Sequence, residues 1–231
     1  MRYVYSREYL EEQAEKINMK YYPERLKEVI PLDPYDLLER LGLDVEWKYI
    51  SPNDSILGMI FFEDGYWYVW PSGKYKKGDI PKYEFFKKGT VVINQILLDK
   101  KSNAKKEVFV CNHENMHWIK DKDFFKTKDA SPLHICNDDA MNKTYWNNTM
   151  SDVDIIERQN NYLNAAVLMP RNVIKREFFK RLRFKTIPSE PINYEVYMKK
   201  HIKSLADDYG LNFSPILFRL YDLGILKREN K

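Results

Sequence analysis

Leu10, Ala14 and Ile17 recur at three- and four-residue spacing, which predicts a helix over residues 7–28 with one buried face. Pro34 opens a short helix through Leu37, Leu38 and Leu41, and Gly42 closes it. The period then changes. β-branched and aromatic residues dominate 45–49, 56–62, 66–70 and 89–97, which predicts strands, with Asp64-Gly65 as a hairpin turn between the second and third. Helical spacing returns at 108–119 and again between Ser151 and Pro170, where Ser151 followed by Asp154 makes an N-cap-like start and Pro170 a stop. Between these helices, residues 121–150 follow neither period and read as a long irregular loop, either a gate over a cleft or a disordered insertion.

Beyond Pro170, residues 175–185 read as a basic amphipathic helix packed through Phe178, Phe179 and Leu182. Pro188 and Pro191 mark a linker. The tail then reads as helix, turn at Gly210, short helix and Gly224, a pattern like a helix-turn-helix. The element order predicts an α+β chain with a body over residues 1–186 and a C-terminal helical extension over 187–231, packed on the first.

Composition narrows the class. In 231 residues, 31% are charged and 44% hydrophobic, a globular balance rather than a disordered one. A net charge of +4 does not call for a nucleic-acid partner, and Asp207, Asp208 and Asp222 around the C-terminal turn are unhelpful to phosphate binding. No apolar run approaches the roughly 20 residues of a membrane span, and Met1 to Ser6 begin no signal peptide. Cys111 and Cys136 make no disulfide framework, so a reducing cytoplasm is expected.

The chemistry concentrates at His113-Glu114-Asn115-Met116-His117. On a helix, residues four apart share a face, so both imidazoles can grip one metal ion. Glu114, turned about 100° from His113, can reach a water beside that ion. This is HExxH, two zinc ligands and a general base. Two histidines hold an open zinc site too weakly without a third ligand. On the 151–170 helix, Ile156, Leu163, Ala166 and Val167 form the apolar stripe, while Glu157, Asn161 and Asn164 share a polar face. Alone, that face would read as solvated. Beside HExxH, Glu157 reads as the third ligand and Asn161 as an acceptor for a ligand ring N–H. Asp121, His134, Asp138 and Asp139 are the next candidates.

These segments resemble the ImmA/IrrE family of metallo-endopeptidases, minimal zincins whose pattern is HExxH, then E-x-x-x-N, an Ala-rich turn and Leu-Met-Pro. Here that reads His113 to His117, then Glu157 to Asn161, then Ala165-Ala166-Val167-Leu168-Met169-Pro170. The chain departs from the family in carrying Asn115-Met116 where Leu-Gly is usual, and in a longer connection from His117 to Glu157. The resemblance implies a zincin-like fold, a small twisted, mostly antiparallel sheet over the HExxH helix. It implies His113, His117 and Glu157 as ligands of one Zn2+ per chain, with Glu114 as catalytic base. The expected activity is hydrolysis of a peptide bond in a protein, by resemblance a helix-turn-helix (XRE-type) repressor of a phage, mobile element or stress response. His134 or Tyr145 could stabilise the oxyanion. The alternative is a DNA-binding regulator that uses the C-terminal helices, with a structural metal site.

Overall fold

The computed structural model describes residues 4–53, 55–99, 103–125, 133–137 and 151–228. Helices and two small sheets make it α+β, and among the described residues no helix is long and apolar enough to cross a membrane. The chain divides into two compact units, Met1–Val4 with Asp33–Asn161, and Tyr5–Leu32 with Tyr162–Lys231.

The first unit is built on a four-stranded sheet in the order β1-β5-β2-β6, formed by β1 (Asp44–Lys48), β2 (Ile56–Phe61), β5 (Thr90–Asn94) and β6 (Leu133–Asn137). β1 runs parallel to β5, whereas β2 is antiparallel to both β5 and β6. Central strands are covered on both faces, which is why β2 and β5 are almost continuously apolar. Ile60, Val91 and Ile93 pack with Val110 and Cys111 of helix α3 (Ala104–Lys120). Met59, Phe61 and Val92 pack with Ile50, Val69 and Phe86. The last two of these belong to a separate hairpin, β3 (Gly65–Val69) with β4 (Lys82–Phe86).

The Asp64-Gly65 turn between β2 and β3 is therefore corrected. Both edges of β2 are taken by β5 and β6, so β3 pairs with β4, a strand the sequence did not reveal. Asp64 instead accepts a hydrogen bond from the Lys88 backbone N–H at 2.9 Å. The 121–150 segment is likewise not wholly irregular. It supplies the short helix α4 (Lys122–Phe125) and the edge strand β6, while residues 126–132 and 138–150 lie outside the described residues. Strand β5 ends at Asn94, whose side chain caps a 3-10 turn over Gln95–Leu97.

Helix α2 (Pro34–Arg40) starts where Pro34 predicts, with Asp33 accepting from the Tyr35 N–H as its N-cap. Buried side chains then fix α3 in place. Asn115 Nδ2 donates to the Pro34 carbonyl at 2.9 Å, and Glu107 accepts from the Tyr35 hydroxyl and from Trp47 Nε1.

The second unit begins with α1 (Arg7–Tyr21), whose face of Leu10, Ala14 and Ile17 is buried as its spacing predicts. The helix stops before Pro23, which disfavours helical backbone at Tyr22, and a 3-10 turn over Pro23–Leu26 replaces the expected continuation to residue 28. The C-terminal part of α5 (Asp152–Leu168) follows, then α6 (Arg171–Arg181), α7 (Met198–Asp208) and α8 (Phe213–Asp222). The basic helix expected at 175–185 thus begins and ends earlier. It closes at Leu182, with Arg183 in the left-handed conformation (φ 60°) and Phe184 N–H returning to the Phe179 carbonyl. At its centre Arg219 of α8 forms two hydrogen bonds to the Glu11 carboxylate, at 2.5 and 2.8 Å, and Tyr162 donates a third at 2.7 Å. Arg25 and Arg219 also donate to the Val167, Leu168 and Met169 carbonyls, satisfying the C-terminal end of α5.

Candidate metal centre

Two helices carry the site. Helix α3 presents His113 and His117 on one face, as four-residue spacing requires, with Nε2 atoms 2.9 Å apart. Helix α5 presents Glu157. Its start is fixed by the reciprocal capping predicted from sequence, with Ser151 N–H on Asp154 Oδ2 at 3.1 Å and Asp154 N–H on Ser151 Oγ at 3.2 Å. Glu157 Oε1 lies 3.1 Å from His117 Nε2, and Oε2 lies 3.4 Å from His113 Nε2. Donors around a tetrahedral ion with bonds of ~2.0–2.1 Å stand about 3.3 Å apart, so this buried His-His-Glu group can hold a metal ion.

Two further contacts set this geometry. Asp121 Oδ2 lies 2.7 Å from His117 Nδ1, and its other oxygen accepts from Lys120, so the carboxylate fixes the ring and leaves Nε2 facing the centre. Asn160, one turn beyond Glu157, donates from Nδ2 to the His113 carbonyl at 2.9 Å and ties α5 to α3 at the level of the ligands. Neither pairing was read from the sequence. Asp121 carried a usable signal, since it stands four residues after His117. Asn161, given that kind of role from sequence, lies half-buried one residue beyond Asn160. His134 lies in β6 with its backbone paired to Ile60, whereas Asp138, Asp139 and Tyr145 are outside the described residues.

Glu114 is fully buried, and neither carboxylate oxygen has a hydrogen-bond partner among the described residues. Burial dominates and pushes its carboxyl up to about 8, with the neighbouring Glu157 charge adding to the rise and His117 opposing it. Its position is set partly from the sheet. A bulge in β2 between Ile56 and Gly58 interrupts the register with β6, and Gly58 brings bare backbone against the carboxylate. For the histidines, burial lowers both; it prevails at His113, whereas Glu157 and Asp121 outweigh it at His117 and raise that ring to about 9. A buried, unsatisfied carboxyl beside three convergent donors fits a divalent cation and its water better than an ion-free core.

Compared with known proteins, the chain matches no family model and no curated protein.

Proposed function

We propose that the protein is a zinc-dependent endopeptidase with a zincin-like fold, of the ImmA/IrrE kind that its motifs resemble. The observation that carries this reading is the convergence of His113, His117 and Glu157 next to the buried, unpartnered carboxyl of Glu114. Three protein donors leave a position open for water or substrate, whereas a structural zinc usually closes its shell with four. Zinc, when bound, lowers the pKa of water from about 15.7 towards 7 and polarises a carbonyl. His113, His117 and Glu157 would hold the ion, and Asp121 beside His117 Nδ1 would keep that ring in the ligating tautomer. Glu114 would take the proton of the attacking water and return it to the leaving nitrogen.

By the same resemblance the substrate is a helix-turn-helix repressor. The test is to mix the zinc-loaded protein with such a repressor encoded beside its gene. Two discrete fragments should form, with operator binding lost in step and casein left intact. Sequence-selective, salt-sensitive binding to duplex DNA through α7 and α8, unchanged in Glu114→Gln and without fragments, would replace this reading with the DNA-binding regulator.

A further inference from the structure

On its inner face the β3–β4 hairpin is anchored in the usual way. Val69 and Phe86 are buried, Trp67 Nε1 donates to the Ile50 carbonyl at 3.0 Å, and Glu84 pairs with Lys48 at 3.0 Å. The opposite face of a two-stranded ribbon ordinarily carries polar side chains to water. Here it carries Tyr66, Tyr68, Tyr83 and Phe85, exposed by 52%, 54%, 61% and 48%. The rings form one continuous patch, with centroids 5.0 Å apart for Tyr66–Tyr83, 4.8 Å for Tyr68–Tyr83 and 5.2 Å for Tyr66–Phe85. Contiguous exposed aromatics of this kind mark interaction sites.

Charge around the patch selects the partner. Lys74, Lys76 and Lys77 in the loop joining β3 to β4, and Lys87 just after β4, are exposed and make no ion pair among the described residues, whereas Lys88 is paired with Glu63. Trp70, directly after β3, bridges to Tyr49, whereas β4 has no second strand neighbour among the described residues, so an extended segment can add along β4. Two features turn the choice from nucleic acid to protein. Tyr66 and Tyr83 stack on each other rather than offering free faces to bases, and Glu63 and Asp64 just before β3 interrupt the lysines.

We propose that this face of the hairpin docks an extended, acidic protein segment bearing aromatic side chains, with the lysines meeting its carboxylates and the tyrosines its rings. As a docking site for a substrate it rests on the endopeptidase reading. The binding itself needs no turnover and is measured on the full-length Glu114→Gln variant, so loss of either reading leaves the other standing. The probes are a fluorescein-labelled random copolymer of glutamate and tyrosine, polyglutamate and oligothymidylate. The copolymer should bind, with polyglutamate roughly tenfold weaker because it lacks ring contacts. Tyr66→Ser/Tyr68→Ser/Tyr83→Ser should erase that difference, and Lys76→Glu/Lys77→Glu/Lys87→Glu should weaken both polymers while leaving zinc content unchanged. The lysine variant keeps the rings, so the test survives misfolding of the tyrosine variant. Equal binding of the two polymers, tighter binding of oligothymidylate, or wild-type affinity in the lysine variant would overturn the proposal.

Discussion

Gly58 and Glu114 are in close apposition: a Cβ added to Gly58 would stand 2.9 Å from Glu114 Oε1 and 2.8 Å from Val110 Cγ1. The sheet thus reaches the proposed base through the one residue type that leaves it room. Gly58→Ala should force Glu114 or Val110 to shift and cost about 1–3 kcal/mol of stability, as overpacking of a core does. Because the atoms nearest that Cβ belong to Glu114 and Val110 and not to a metal donor, zinc affinity should fall far less than kcat. Chemical denaturation, zinc titration and cleavage assays on one preparation separate the three.

Removing the base without removing its shape separates binding from chemistry. Glu114→Gln should retain about one zinc per chain, the occupancy expected of one open three-ligand site, while proteolysis drops by roughly 100- to 10,000-fold. Turnover at the wild-type rate in that variant would take Glu114 out of the mechanism.

Zinc affinity should grade with distance from the centre. His113→Ala, His117→Ala and Glu157→Ala each remove a donor and should abolish most binding. Asp121→Asn, which keeps the side chain's size but weakens its hold on His117 Nδ1, should cost roughly 10- to 100-fold. Competition with a chromophoric chelator measures all four. Normal affinity in Glu157→Ala would move the third ligand elsewhere.

Acid should loosen the second unit through Glu11. Burial raises this carboxyl, but the hydrogen bonds and charge of Arg219 prevail and hold it below the ordinary 4.5. Its contribution to stability is therefore complete above about 4.5 and lost as the pH falls through the lower folded value. Glu11→Gln should flatten the pH dependence of unfolding in that window. At neutral pH it should cost about 3–5 kcal/mol, because Arg219 stays buried and charged without its partner. Replacing both residues by Leu should cost less than replacing either.

Local signals were legible at several points where one residue decides, though not at Pro23, which ends α1 early. Pro34, Gly42, the Ser151–Asp154 pair and Pro170 each stand where the structure starts or stops a helix. The four-residue spacing of His113 and His117 fixed their common face in advance. What the sequence concealed depends on long-range choices. Nothing near Asp64-Gly65 says that both edges of β2 will be occupied, and in β4 the alternation of Lys82, Tyr83, Glu84 and Phe85 puts its rings on the exposed side, not the buried one. Asp121 was read only as a reserve ligand and not as the partner of His117 four residues before it, and Asn160 was missed because its partner, the His113 carbonyl, is met only once α3 and α5 pack.

Glu11 and Arg219 are separated by 208 positions in the chain, yet they close the core of one unit. At ~5–20 residues per second, a ribosome delivers the arginine some ~10–40 s after the glutamate. For most of that interval Glu11 lacks both the Tyr162 hydroxyl and the Arg219 guanidinium that meet it in the folded unit. The sheet and α3, drawn from the continuous stretch Asp33–Asn161, have their partners far sooner. A chain stopped before Arg219 would therefore carry the Glu11 carboxylate without the guanidinium that pairs with it.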